Sequence, residues 1–103
     1  MKINIFGYNI FAKGGTSRSN INLVKSLLEI GHEVHYFNYK NYNKSDITKL
    51  IIYEGLSTKH LHIHQFNSGK ELAHGDLLII TRETFFHHAY LVKKLNSKIK
   101  IVG

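Results

Sequence analysis

Residues 14–19 read Gly-Gly-Thr-Ser-Arg-Ser, a run that combines what is needed to hold an anion. Paired glycines let a backbone approach a ligand closely, and residues that open a helix present free amides and the positive end of its dipole. Thr16, Ser17 and Arg18 add hydroxyl and guanidinium donors. Gly14, Gly15, Thr16, Ser17 and Arg18 therefore form the first candidate site, for a phosphate or another anionic ligand. The same residues would also serve as a plain glycine turn with an ordinary helix cap. Their place after a strand favours the ligand reading, because open α/β sheets bind ligands beyond the carboxyl ends of their strands. Two familiar phosphate motifs do not fit. A Walker loop has Lys directly after its last glycine, whereas Lys13 precedes the pair and Thr16 follows it. A dinucleotide fingerprint needs three spaced glycines and an acid ending the second strand, where this chain has Asn38-Tyr39. Nicotinamide and flavin dehydrogenases are thereby disfavoured.

Arg82 and Glu83 directly follow the apolar run Asp76–Thr81 and should sit at the same edge, with Arg82 touching substrate and Glu83 holding it. The bland alternative is a surface ion pair, which contributes little. His60, His62 and His64 alternate, so on a strand they share one face, opposite Leu61 and Ile63. Two imidazoles at that step can reach one metal, but no carboxylate or cysteine nearby completes a ligand set. No metal site is expected; the pattern reads better as a strand near the sheet edge with one wet face. His87 and His88 are consecutive on a helix, about 100° apart, and make no chelating pair. Asp76 begins a strand, at the end opposite the expected site. No Ser-His-acid triad can be assembled, and catalytic residues are left unassigned.

Positioning these residues requires alternating strands and helices. Strands are expected at Lys2–Tyr8, Glu33–Asn38, Lys59–Phe66, Asp76–Thr81 and Lys98–Val102. A helix over Ser17–Ile30 carries the stripe Ile21, Val24, Leu27 and Leu28, with Thr16 or Ser17 as its cap and Gly31 closing it. A second spans Asp46–Glu54, capped by Ser45 and closed by Gly55, and a third spans Phe85–Asn96, capped by Thr84. The link Asn67–Gly75 is too short for much helix. Right-handed crossovers then give an α/β, Rossmann-like, three-layer αβα fold with a mainly parallel five-stranded sheet in the order 3-2-1-4-5.

With 103 residues, one domain is the natural count. The absence of cysteine excludes a disulfide framework and thiol chemistry and fits a reducing, cytoplasmic setting. No apolar run is long enough to span a bilayer, and no signal peptide opens the chain. The net charge of +7 favours anionic partners, and a peripheral membrane contact is compatible with it. The excess is spread over both halves without an arginine-rich run, so no specific nucleic-acid partner is expected. The cluster Lys93, Lys94, Lys98 and Lys100 reads as a solvated helix end. Because the last residues form a strand with nothing covering it, the chain reads as a truncated piece of a longer protein.

The run GGTSRSNINLVKSLLEIGHEVHYF resembles the N-terminal signature of glycosyltransferases with the GT-B fold, in particular the retaining, nucleotide-sugar-dependent (group 1, family 4-like) transferases. Gly14-Gly15, the stripe through Leu28, and Gly31-His32-Glu33-Val34 carry the resemblance, which is specific over about Lys2–Phe37. It implies two Rossmann-like domains facing a cleft, the N-terminal one holding the acceptor (a glycan or polyol) and a C-terminal one holding the nucleotide-sugar donor. It further implies that the Gly-Gly loop lies close to the donor's diphosphate, and that no cofactor or metal is needed beyond the donor as co-substrate. A histidine typical of the family follows a later strand, beyond Gly103, and the donor domain is absent from these residues, so they should be inactive alone. The other reading kept open is a stand-alone α/β module that binds a phosphorylated ligand or a protein partner.

Overall fold

Ile3, Ile5 and Phe6 are almost completely shut off from solvent, which marks strand β1 (Lys2–Gly7) as the centre of the molecule. The computed structural model describes residues 1–103 and continues with α1 (Gly15–Ile30), β2 (Glu33–Asn38), α2 (Lys44–Glu54), β3 (Leu61–Gln65), β4 (Leu77–Ile80), α3 (His88–Leu95) and β5 (Lys100–Val102). Short 3-10 turns cover Lys70–Ala73 and Glu83–Phe85. All four strand pairs are parallel and the order is β3-β2-β1-β4-β5, the Rossmann-like arrangement expected from the alternation. On one face Ile3, Ile5, Val34, Tyr36 and Leu61 pack with Ile21 and Val24 of α1 and Leu50 of α2. On the other, Phe6, Phe37, Leu78 and Ile80 pack with Leu72, Phe85 and Val92 of α3. Phe6 lies sandwiched between the rings of Phe85 and Phe66, with centroids at 4.2 and 4.4 Å.

The helix ends differ from expectation in instructive ways. Gly31 and Gly55 close α1 and α2 in the left-handed conformation, as read from the sequence. At the start of α1 neither Thr16 nor Ser17 caps; the cap position belongs to Gly14 and carries no side-chain bond. For α2 the cap is Asn43 rather than Ser45: Asn43 Oδ1 accepts from the Asp46 amide at 3.1 Å and Asp46 Oδ2 accepts from the Asn43 amide at 3.0 Å. This reciprocal box satisfies two amides at once, which a lone Ser45 hydroxyl could not. The third helix begins at His88, because the chain after β4 first winds through the 3-10 turn that delivers Phe85 to Phe6; Thr84 caps nothing. The link before β4 is mostly loop, as expected, and Glu71 ties it by accepting the amides of Asn67 at 2.6 Å and Gly69 at 2.9 Å.

Gly7, at the end of β1, is where the packing leaves no room for a side chain. A Cβ there would lie 1.9 Å from Tyr36 Oη and 2.9 Å from Asn20 Nδ2. Those two atoms are bonded to each other at 2.8 Å in the buried core, so neither can move freely. Gly7→Ala is expected to destabilise the fold by about 1–3 kcal/mol, as overpacked cores do. Adding Tyr36→Phe should recover part of the loss, and urea denaturation of the three variants reads both effects. An unchanged Gly7→Ala midpoint would contradict this packing.

Candidate functional site at the carboxyl edge of the sheet

The site begins with a buried amide. Asn38, the last residue of β2, is fully buried, and its Oδ1 accepts the Ile10 amide at 2.8 Å. Its Nδ2 donates to the Lys40 carbonyl at 2.8 Å and to Asn9 Oδ1 at 3.3 Å. The carboxamide therefore ties the loop after β1 to the loop after β2. This internal role, rather than ribose binding, is what the residue does at the strand end where a dinucleotide fold keeps its acid.

From that anchor the loop runs to Gly14, at φ 133° and ψ 176°, a region only glycine occupies without strain. Helix α1 starts immediately. The amides of Gly15, Thr16 and Ser17 have no acceptor within the chain, no side chain caps them, and no acid lies in the first turn. Gly14, Gly15 and Thr16 are exposed. A Cβ on Gly15 would meet nothing within 4 Å, so neither packing nor φ demands glycine there. The result is an uncompensated, solvent-facing helix N-terminus at the sheet's carboxyl edge, which attracts anions.

The remaining residues of the first candidate set divide. Ser17 is buried, and its hydroxyl donates to the carbonyls of Ala12 at 2.5 Å and Gly14 at 3.1 Å, so it holds the loop. Arg18 turns to α2, where its guanidinium grips Glu54 with two bonds of 2.9 and 2.7 Å. Lys25 adds a third bond to the same carboxylate at 3.0 Å. Between the start of α1 and α2 opens a groove of about 760 Å³, lined by Phe11, Lys13, Gly14, Arg18, Lys49 and Tyr53 among others.

Arg82 and Glu83 follow β4, as expected, but they form no ion pair. Instead the Arg82 guanidinium lies over the Tyr8 ring, 4.1 Å from its centroid, and the Tyr8 ring stacks with Tyr39 at 5.9 Å. Lys40 Nζ also approaches the Tyr8 ring, at 5.7 Å. A cation held on an aromatic face keeps its N–H donors free at the ring's rim, which an ion pair with Glu83 would not. Glu83 only opens the 3-10 turn.

The sequence marks Asn38 and Tyr39 only as the residues standing where a dinucleotide fold keeps its acid, and Tyr8 and Lys40 only by their position at strand ends. The histidines also need correction. His62 and His64 share a face, on an edge strand, but His60 precedes β3 and stands outside the alternation. A carboxylate does stand near these histidines: Glu33, two residues before His35 on the neighbouring strand.

Comparisons with protein-family models, with curated proteins and with solved structures find no match to the chain. No helix is long and apolar enough to cross a membrane.

The Glu54 carboxyl is held down to about 2 by the hydrogen bonds from Arg18 and Lys25, against an ordinary value of 4.5. A depressed carboxyl contributes stability that is present above the ordinary value and disappears as pH falls toward the depressed one. Glu54→Gln should therefore melt below the unsubstituted chain at pH 7, with the gap closing between pH 4.5 and about 2. Circular-dichroism melts across that range measure it; a gap independent of pH would contradict the ion cluster.

Proposed function

We propose that the chain is the acceptor-side, N-terminal domain of a GT-B glycosyltransferase, an enzyme that transfers a sugar from a nucleotide-sugar to a glycan or polyol acceptor. The observation that carries this reading is the start of α1: three unpaired amides behind a glycine-only turn, beside a position 15 at which a Cβ would meet no packed neighbour within 4 Å. In such a transfer negative charge develops on the leaving diphosphate. Preorganised amides and a helix dipole aimed at that charge stabilise it without reorganisation, and loss of one such donor costs about 2.7–4 kcal/mol. Gly15 leaves room for a phosphate oxygen to reach the backbone. Arg82 on Tyr8, with Tyr39 alongside, offers guanidinium donors and ring faces of the kind that hold a hydroxyl-rich acceptor. The donor-binding half and its catalytic groups are not among residues 1–103, so on this reading these residues bind but do not transfer. The enzyme would work in the cytoplasm, with peripheral contact to a membrane if its acceptor is lipid-linked.

The test is a titration of the 15N-labelled chain with uridine diphosphate, followed by amide chemical shifts. Gly15, Thr16 and Ser17 should move together on one saturable curve. Gly15→Val should weaken binding at least tenfold with little change in melting temperature, since a Cβ at this position would meet no packed neighbour within 4 Å. Shifts confined to other residues, unchanged binding by Gly15→Val, or sugar transfer by residues 1–103 alone would overturn the proposal. Inorganic phosphate binding as tightly as the diphosphate would favour the stand-alone phosphate-binding module instead.

A further inference from the structure

Parallel pairing of β2 with β3 sets His35 opposite His62 and Phe37 opposite His64. Glu33 lies two residues before His35, so the period of two puts Glu33, His35, His62 and His64 on one face of the sheet, at its β3 edge. His35 and His62 stack, with centroids 4.5 Å apart, whereas His35 and His64 lie edge to edge, with centroids 5.1 Å apart and planes within 2°. Ligand atoms from Glu33, His35 and His62 all fall within 4.8 Å of one another. His35 is held at both nitrogens, Nε2 against Glu33 Oε2 at 2.5 Å and Nδ1 against His64 Nε2 at 2.8 Å.

We infer that Glu33, His35 and His62 form a binding site for a divalent transition-metal ion, best matched by Zn2+, with His64 as the hydrogen-bonding partner that orients His35. Two imidazoles and one carboxylate, without thiolate, select ions of the Zn2+, Co2+ and Cu2+ group over Mg2+ or Ca2+. Zinc bonds of about 2.0–2.1 Å place tetrahedral donors about 3.3 Å apart. The ligand atoms already lie within 4.8 Å of one another, and with His62 exposed and the Glu33 side chain 45% exposed, these two side chains have room to turn toward a shared ion. Three protein ligands leave the fourth position to water, the arrangement of open zinc sites.

The protons balance without a further acceptor. Unloaded, His35 Nε2–H donates to the Glu33 carboxylate and His64 Nε2–H donates to His35 Nδ1. On loading, Nε2 of His35 binds the ion, the proton of His35 resides on Nδ1 and donates to His64 Nε2, and the proton of His64 resides on its Nδ1. Both rings stay neutral throughout. Burial already pushes both His35 and His64 below the ordinary histidine value, which keeps them in the neutral form that metals bind. The arrangement would clamp edge strand β3 to β2, and it stands independently of the glycosyltransferase reading.

The experiment is calorimetric titration of the tag-free, chelator-stripped chain with ZnCl2 at pH 7.5. One equivalent should bind with micromolar affinity or better, and Co2+ should give the intense visible absorption of a four-coordinate ion. His62→Ala, an exposed substitution whose fold circular dichroism can verify, should weaken Zn2+ at least tenfold, and Glu33→Gln likewise. His74→Ala, an exposed histidine elsewhere, should leave binding unchanged. Absence of binding at 100-micromolar Zn2+, or native affinity in His62→Ala, would overturn the site and leave the stacked rings as edge-strand protection.

Discussion

The buried carboxamide of Asn38 is the contact on which the carboxyl edge of this molecule depends. It lies at the end of β2, without exposure to solvent, and serves the amide of Ile10, the carbonyl of Lys40 and the side chain of Asn9 at once. Each of those groups belongs to a loop that leaves the sheet, and a buried amide without a partner costs about 1–3 kcal/mol. The loop after β1 is therefore not free to choose its path. It is fastened at Ile10, fastened again where Ser17 donates to Ala12 and Gly14, and forced through a backbone conformation open only to glycine at position 14. What emerges is a helix start whose amides point away from every acceptor in the chain.

Charge is distributed to match. Of the basic groups near this edge, Arg18 is consumed by Glu54 and joined there by Lys25, so it braces α1 against α2 rather than facing solvent alone. Arg82 is parked on Tyr8 and keeps its donors available. The net charge of +7 favours the approach of anions to the molecule as a whole.

Much of this was legible in the sequence, for identifiable reasons. The strand order follows from alternating apolar runs and crossover handedness, and Gly31 and Gly55 announce helix ends through the one conformation they favour. Gly14 and Gly15 were found together, but the sequence could not say that Gly14 is required by backbone conformation while Gly15 is not. Asn43 displaced Ser45 as a cap because a reciprocal box depends on Asp46 folding back, a geometric fact. Arg82 was placed correctly at the strand end, yet its partner proved to be Tyr8, a residue more than seventy positions away in sequence. Alternation along β3 shows that His62 and His64 share a face, but only the register of β2 on β3 brings Glu33 and His35 beside them.

The central claim is that the exposed amides at the start of α1 receive a diphosphate. Crystals grown with uridine diphosphate test it most directly. The account predicts phosphate oxygens within about 2.7–3.1 Å of the Gly15 and Thr16 amide nitrogens, the range of charge-assisted hydrogen bonds, with Gly14 still in its glycine-only conformation. A diphosphate seated elsewhere, or a helix start whose amides are closed off by the chain itself, would contradict it.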